Sequence, residues 1–149
     1  MDSYGAPGLF RLHPGLSLDT AVVNQDGTVN SASNPAPIGS EIAMYGTGFG
    51  MITPPCSTGG LNPDTAISLA PPLFVWFSEA NPNPNAGPGL PTYSGSAPTL
   101  PCGIVQINRV IPTWAKPGIF YFPPMSLLRR PQGDYFGTTA PVPAAVYVK

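Results

Sequence analysis

The sequence predicts an all-β protein, an antiparallel β-sandwich with long loops rich in proline and glycine. The 22 prolines and 17 glycines are spread along the whole chain and leave no uninterrupted window that favours a helix. The longest proline-free stretch, 15–34, is rich in Val, Thr, Asn and Gly, which favour strands and turns. Short runs of β-branched and aromatic residues recur between these breakers at fairly regular spacing, which is typical of a sandwich.

Eight such runs are predicted to form strands. In chain order they are GLFRL (8–12), TAVVN (20–24), EIAMYG (41–46), LFVWFS (73–78), GIVQINRVI (103–111), GIFYF (118–122), MSLL (125–128) and AAVYVK (144–149). After the second run, Asp26 and Gly27 predict a tight hairpin turn of the primed type, because such turns need positive φ. At the end of the third, alternate glycines from Gly46 to Gly50 predict a bend and a close approach to a neighbouring strand.

Two of these runs indicate which side faces the core. In the run 103–111, alternate residues lie on opposite sides of the strand. One side is mostly apolar and is predicted to face the core, with Arg109 near the sheet end: Val105, Ile107, Arg109 and Ile111. The other side consists of Ile104, Gln106, Asn108 and Val110. In LFVWF both sides are apolar, so that strand is predicted to be buried on both sides or to belong to an interface.

Length and composition indicate one domain, 1–149, with an almost uncharged surface. A chain of 149 residues is of single-domain size and is long enough to bury a substantial core. Hydrophobic residues make up 42% of it, but charged residues make up 9%, against a usual share of about 25%. Uncharged polar residues, glycine and proline must therefore cover the surface, which is less unusual for a secreted or cell-surface module than for a cytosolic protein.

Charge and hydropathy also exclude two classes of partner. The six basic residues are dispersed, with Arg129 and Arg130 the one adjacent pair, so they form no face for nucleic acid. No apolar run approaches the roughly 20 residues of a membrane span. The N-terminus lacks the pattern of a signal peptide, so for an exported protein we expect that the signal was removed or lies upstream.

The two cysteines lie where loops meet strands, Cys56 in PPCSTGG and Cys102 in LPCGIVQ. Neither has a second cysteine or a histidine at the spacing of a metal site. Two interpretations remain open, a disulfide that joins the two loops or two buried free thiols. A disulfide would close 46 residues (102 − 56) and contribute about 4 kcal/mol in the chain-entropy model.

The sequence predicts no catalytic, cofactor-binding or metal site. His13 is the one histidine and has no Ser or Cys beside it. The carboxylates are isolated, most of them in turn contexts: Asp2, Asp19, Asp26, Glu41, Asp64, Glu79 and Asp134. Asn24, Asp26 and Asn30 offer oxygen ligands for calcium, but the acidic first ligand and the closing glutamate of an EF-hand are missing. A plain turn with Asx-type hydrogen bonds is the favoured interpretation.

Aromatic residues are the candidates for contact with other molecules. They are Trp76, Tyr93, Trp114, Tyr135 and Phe136. Trp114 follows a strand in a loop, where an exposed indole can stack on a sugar ring, although anchoring of the core is the more common role. The same two interpretations hold for Tyr135 and Phe136 in DYFG.

The sequence resembles a known family. NPAPIGSEIAMYGTGFG (34–50) is similar to the opening of an immunoglobulin-like domain of the IPT/TIG (E-set) type, in which a proline and Gly-x-x-φ precede a strand and Gly-Thr-Gly-Phe-Gly. The order of GLFRL, AVVNQDGTVN, YSGSAPTLPCGIVQINRVIP, KPGIFYF and VYVK resembles an uncharacterised C-terminal domain of large secreted proteins of Solibacter-type acidobacteria. The resemblance covers almost the whole chain and implies a secreted immunoglobulin-like sandwich without catalytic residues. SEANPNPNAGPGLP (78–91) lengthens one connection relative to that family.

Two hypotheses for function follow. The first is a non-catalytic extracellular module that assembles with copies of itself or with sister domains in a fibre, sheath or layer, through sheet edges and apolar faces. The second is a module that binds surface glycans through exposed aromatic residues. Neither hypothesis requires a cofactor, and the sequence does not predict an enzyme.

Overall fold

The structure, a computed structural model, describes residues 8–13, 20–49, 52, 54–69, 73–75, 91–122, 124–129, 135–139 and 144–149. For 73–75, 121–122, 124–129, 135–139 and 144 it describes the backbone. This part of the chain contains ten strands and no helix, and hence no helix of the length and hydropathy needed to cross a membrane. The strands are β1 (Gly8–Leu9), β2 (Val22–Asn24), β3 (Glu41–Thr47), β4 (Leu73–Val75), β5 (Tyr93–Ser96), β6 (Val105–Val110), β7 (Gly118–Phe122), β8 (Pro124–Arg129), β9 (Tyr135–Thr139) and β10 (Ala144–Val148).

Five of the strands form an antiparallel sheet around the two long strands β3 and β6. β5 pairs with the far edge of β6, and β1 and β2 pair one after the other with the far edge of β3. The segment 67–69 runs beside β5, where Leu69 N–H donates to Ser94 O (2.8 Å) and Ser96 N–H donates to Ile67 O (2.8 Å). The edge of the sheet at β5 is therefore covered.

Two smaller antiparallel sheets complete the described architecture. β7 pairs with β10 along its whole length, from Gly118↔Val148 to Phe122↔Ala144. β8 lies between β4 and β9 in a sheet of three strands.

The side of β10 that faces away from β7 is covered by the segment 36–38, which runs parallel to β10. Ala36 N–H donates to Tyr147 O (2.9 Å), and Ile38 N–H donates to Lys149 O (2.9 Å). Because this segment leads directly into β3, it connects the sheet of β7 and β10 to the five-stranded sheet.

The five-stranded sheet and the sheet of β7 and β10 share one hydrophobic core. In β3 the buried residues alternate with partly exposed ones, as expected for a strand with one face on the core. The largest fully buried side chains come from these two sheets and their margins: Val22, Ile42, Met44, Val105, Ile107, Ile111, Phe120 and Val146. Antiparallel sheets that bury their facing sides in a common core are consistent with a β-sandwich.

Each of the eight predicted runs contains a strand, although the bounds differ. The first strand is shorter than predicted, Gly8–Leu9 instead of 8–12, although Phe10 N–H also donates to Tyr45 O of β3 (2.8 Å). The fourth is described as Leu73–Val75, and the rest of that run, 76–78, lies outside the described residues. The lengthened connection 78–91 also lies outside them, apart from its last residue.

The sequence does not predict β5 and β9. β5 reads YSGS, and its glycine and serines have low strand propensity, so its place beside β6 comes from tertiary pairing. β9 reads YFGTT, where Gly137 interrupts the apolar pattern. Both strands contain aromatic residues that the sequence suggests as contact residues.

The predicted faces of the run 103–111 are confirmed. The core-facing residues are buried apart from Arg109, which is partly buried near the sheet end, and the opposite set is more exposed. Burial of the Arg109 guanidinium lowers its pKa below the ordinary value, because a buried site disfavours the charged form.

The hairpin after β2 is confirmed, but its turn is not of the primed type. Gly27 has a φ of 82°, whereas Asp26 does not have positive φ. Gly27 N–H donates to Asn24 O (2.9 Å), and Asn24 N–H donates to Thr28 O (2.8 Å). This is the pattern of a three-residue loop in which one left-handed glycine follows an ordinary turn. The Asp-Gly pair marks the turn correctly, because the longer loop also needs a glycine at its last position.

The predicted close approach at the end of β3 is confirmed at Gly46. A Cβ at Gly46 would overlap Gly8 O of β1 and lie 2.8 Å from the Phe49 ring, so no larger residue fits without displacing one of them. Gly48 has a φ of 80° and bends the chain after β3. Gly50 lies outside the described residues.

Candidate functional site

The predicted contact aromatics lie on different elements. Tyr93 lies on β5, and Trp114 lies in the turn after β6, where it is partly buried. Tyr135 and Phe136 lie on β9, of which the backbone is described, and Trp76 lies outside the described residues. Tyr93 is therefore the residue of this set around which a site can be built in atomic detail.

The predicted disulfide is confirmed. Cys56 and Cys102 are bonded, with Cα atoms 5.7 Å apart, and no cysteine is free. Cys102 N–H also donates to Gly60 O (3.0 Å), so the loop that contains Cys56 is held to the start of the β6 segment by a covalent bond and by backbone hydrogen bonds.

The buried side chain of Asn62 also holds the loop of Cys56 to the segment that leads into β6. The side chain is 3% exposed, and its amide nitrogen donates to Ala97 O and to Ile104 O, both at 2.9 Å. Its Oδ1 atom is buried without a hydrogen-bond partner. A cavity of about 350 Å³ adjoins these loops and is lined mainly by the residues of the disulfide loop, 54–63.

The cluster of Asn24, Asp26 and Asn30 forms the predicted turn with Asx-type hydrogen bonds. Asp26 Oδ1 accepts hydrogen bonds from Thr28 N–H (3.0 Å) and from the Thr28 hydroxyl (2.6 Å). Asn24 Oδ1 accepts one from the amide nitrogen of Asn30 (2.9 Å). The Thr28 donors lower the pKa of Asp26 below its ordinary value, because they stabilise the charged carboxylate.

Asn30 directs its own amide at β10. Its nitrogen donates to Tyr147 O (2.8 Å), and its oxygen accepts from Tyr147 N–H (2.8 Å). One side-chain oxygen of each of Asn24, Asp26 and Asn30 thus accepts a hydrogen bond from a protein donor. In the described residues no three His, Cys, Asp or Glu side chains lie close enough together to hold a metal ion.

The five-stranded sheet has a polar side opposite the core, which we call the outer face. Two rows of residues cross it from β3 to β6 to β5, and they are Tyr45, Gln106 and Gly95 in the first row and Ala43, Asn108 and Tyr93 in the second. The rows lie about 6.6 Å apart, because they are two residues apart along each strand. Glu41 lies beyond the second row. The side chains of Tyr45, Gln106, Asn108 and Tyr93 are partly exposed.

Hydrogen bonds hold the polar groups of the outer face in place. The amide nitrogen of Gln106 donates to Asn108 Oδ1 (2.8 Å), and the amide nitrogen of Asn108 donates to Glu41 Oε2 (3.4 Å). The Thr92 hydroxyl donates to the other carboxylate oxygen of Glu41. In the described part of the chain, no hydrogen bond engages Gln106 Oε1 or the Tyr45 hydroxyl.

The ring of Tyr93 lies over Gly95 on the outer face. Its hydroxyl donates to Ser96 O (2.7 Å), and a Cβ at Gly95 would lie 2.8 Å from Tyr93 Cζ. The absence of a side chain at Gly95 therefore lets the ring lie against the backbone. The ring is held beside Gln106, which faces Gly95 across the strand pair.

One edge of the sheet of β7 and β10 is open in the described residues, and we call it the β7 edge. Because Tyr147 uses its backbone groups toward Ala36 and Asn30, the alternate residues of β10 pair with β7. The opposite residues on β7, Ile119 and Tyr121, consequently direct N–H and C=O away from β10. Within the described ranges no strand pairs with this edge.

The β7 edge also lacks the residues that usually protect an edge strand. β7 reads GIFYF, without a charge or a proline, and Ile119 is 43% exposed. Natural edges of this length are commonly protected by lysine, proline or a bulge. In the sequence, Lys116 and Pro117 precede the strand and Pro123 directly follows it, so these residues flank β7 and do not lie within it.

Glu41, Gln106 and the β7 edge are features that the sequence did not single out as functional. The alternation in 103–111 places Gln106 and Asn108 away from the core, so the sequence does predict that these two residues of the outer face lie on the same side of β6. The position of Glu41 beside them depends on the register of β3 and β6, which the sequence does not reveal.

No protein-family model, curated protein or solved structure matches the chain.

Proposed function

We propose that the protein is a non-catalytic extracellular module of the immunoglobulin-like IPT/TIG type that assembles with copies of itself through the β7 edge. The scarcity of charge and the disulfide support an extracellular location, since disulfides persist in oxidising compartments. The sequence resemblance to the secreted Solibacter-type domain supports the same fold type and location. The observation that carries the proposal is the open and unprotected β7 edge.

A second copy fits this edge in a two-fold arrangement. If two β7 strands pair antiparallel about Phe120, Ile119 of one copy lies opposite Tyr121 of the other, and the reverse. All four residues then direct their outward N–H and C=O groups at one another, which gives four hydrogen bonds. The product is a continuous sheet in the order β10, β7, partner β7, partner β10.

The energetics favour a weak pair for isolated modules. Four hydrogen bonds contribute about 1 kcal/mol each, which does not by itself offset an association cost of about 4–15 kcal/mol. Burial of the exposed Ile119 side chain adds apolar area on both copies. We therefore expect a concentration-dependent dimer that becomes stable when several modules are linked or assembled, through avidity.

Ile119→Lys is expected to keep the protein monomeric, because a lysine on an edge strand disfavours edge-to-edge pairing, as it does on natural edge strands. The measurement is molar mass across a concentration series by analytical ultracentrifugation. Val29→Lys is the matched control, since Val29 is 48% exposed against 43% for Ile119 and lies on the hairpin after β2. A wild-type protein that stays monomeric up to its solubility limit, or an equal loss of association in both variants, contradicts the proposal.

A cross-link tests the register of the same pair. Both native cysteines are in the disulfide, so Ile119→Cys and Tyr121→Cys each introduce one free thiol. The two variants, mixed and oxidised, are expected to form a covalent heterodimer, because hydrogen-bonded partners lie about 5.5 Å apart at Cα. More cross-linking in either variant alone than in the mixture would show a different register.

A further inference from the structure

A second surface, the outer face of the five-stranded sheet, has the chemistry of a binding site that is independent of the β7 edge. It lies on the side of β3, β6 and β5 away from the core, whereas β7 belongs to the other sheet. The polar side chains of its two rows are amides and hydroxyls, and the charged Glu41 lies beyond the second row. We propose that this face binds a neutral polysaccharide.

The amides supply the hydrogen bonds that sugar hydroxyls need. A primary amide offers an acceptor and donors side by side, which matches a hydroxyl pair that both donates and accepts. Because the Gln106 nitrogen is directed at Asn108, Gln106 Oε1 is left without a partner in the described part of the chain and can accept from a hydroxyl. Asn108 has a second amide hydrogen to donate, since one is used toward Glu41.

The two tyrosines supply flat apolar surfaces on either side of these amides. Tyr45 lies next to Gln106 on β3, and the ring of Tyr93 lies next to Gln106 on β5, above Gly95. β3 and β5 lie two interstrand spacings apart, about 10 Å, with β6 between them, so the two tyrosines lie on opposite sides of the amides. Aromatic rings with a polar tip suit the mixed surface of a pyranose, which has apolar C–H faces and a rim of hydroxyls.

The occupant is neutral because the face offers no cation to an anionic ligand, and its one carboxylate is already hydrogen-bonded. No Lys or Arg lies in the two rows, so an anionic glycan or a phosphate finds no counter-charge there. The Glu41 carboxylate already accepts hydrogen bonds from Thr92 and Asn108, which leaves it as a positioning group for the amides. The net charge of −1 for the whole chain also gives no long-range attraction for a polyanion.

The test is affinity electrophoresis in native gels that contain a neutral polysaccharide: hydroxyethylcellulose, mixed-linkage β-glucan, galactomannan or soluble starch. We expect at least one of them to retard the wild-type protein. Tyr45→Ala and Gln106→Ala are each expected to weaken that binding about tenfold or more, which corresponds to about 1.4 kcal/mol. Tyr147→Ala is the matched control, because Tyr147 is also a partly buried strand tyrosine but lies on β10.

Thermal unfolding of each variant separates loss of binding from loss of fold, and Gln106→Ala retains the test if Tyr45→Ala does not fold. The proposal is overturned if no neutral gel retards the protein, if both substitutions leave retardation unchanged, or if only a sulfated polysaccharide retards it. The Ile119→Lys background distinguishes the two proposals. A monomeric variant that is still retarded supports the glycan site independently of assembly, and retardation that disappears with assembly contradicts an independent site.

Discussion

At the scale of single residues, the Asn30 side chain connects two segments that are far apart in the sequence. It hydrogen-bonds the backbone N–H and C=O of Tyr147, 117 residues further along the chain. It is 4% exposed and also donates to Asn24. One amide thus connects the hairpin after β2 to the strand β10, where it accepts from Tyr147 N–H and shares the Tyr147 carbonyl with Ala36 N–H.

Asn30→Ala is expected to lower the free energy of unfolding by about 3 kcal/mol, because it leaves buried donors and acceptors unpaired. The measurement is equilibrium unfolding in urea. Ser33→Ala in the same loop is the control, since its exposed hydroxyl contacts only the Ser31 hydroxyl in the described part of the chain, and we expect a change within about 0.5 kcal/mol. Equal effects of the two substitutions would mean that Asn30 does not connect these elements.

Asp26 gives a pH dependence of known sign. The Thr28 donors lower its pKa in the folded state, so the carboxylate stabilises the fold at pH values above the ordinary aspartate pKa of about 3.9. That contribution is lost as the pH falls through the lowered pKa. We expect the urea midpoint of the wild type to exceed that of Asp26→Asn at neutral pH and to approach it in acid. A difference that does not change with pH would contradict this assignment.

At the scale of elements, β3 and β6 are the strands that the sequence predicts best. Both have strict alternation or β-branched residues over six or more positions, and both pair on two sides. β5 escapes prediction because Gly95 is required there by the Tyr93 ring and by Ile67 O, and a glycine-containing strand has no propensity signal. The sequence suggested Tyr93 as a contact residue. It did not reveal that Gln106 and Asn108 lie beside Tyr93, because that depends on the register of β5 and β6.

The disulfide between Cys56 and Cys102 is expected to stabilise the fold. Reduction of Cys56–Cys102 should lower the free energy of unfolding by about 4 kcal/mol or less, because the closed loop of 46 residues restricts the unfolded chain. The measurement is thermal unfolding with and without reductant. The double variant Cys56→Ser/Cys102→Ser should match the reduced wild type and show no response to reductant. An unfolding temperature of the wild type that reductant does not change would contradict this expectation.

At the scale of the whole molecule, two surfaces of opposite character lie on the two sheets of one core. The outer face is polar and held by its own hydrogen bonds, and the β7 edge is apolar and has unpaired backbone groups in the described part of the chain. Composition predicted that such a weakly charged chain contacts other molecules, but it did not indicate where. The positions of the two surfaces depend on which strands lie at the sheet edges and on which residues lie opposite each other on neighbouring strands. Both are set by the topology of the fold.

The parallel pairing of the segment 36–38 with β10 also has a kinetic consequence. Its partners meet only after a loop of more than a hundred residues has closed, and Val146 and Val148 cannot enter the core before that. A nucleus built from β2 and β3 therefore completes its core only when strands distant in the sequence pair with it. Proteins with many such distant contacts have high contact order and fold slowly. Until β10 is in place, β7 can pair with neighbouring chains. Slower pairing of the segment 36–38 with β10 therefore gives aggregation more time to compete with folding.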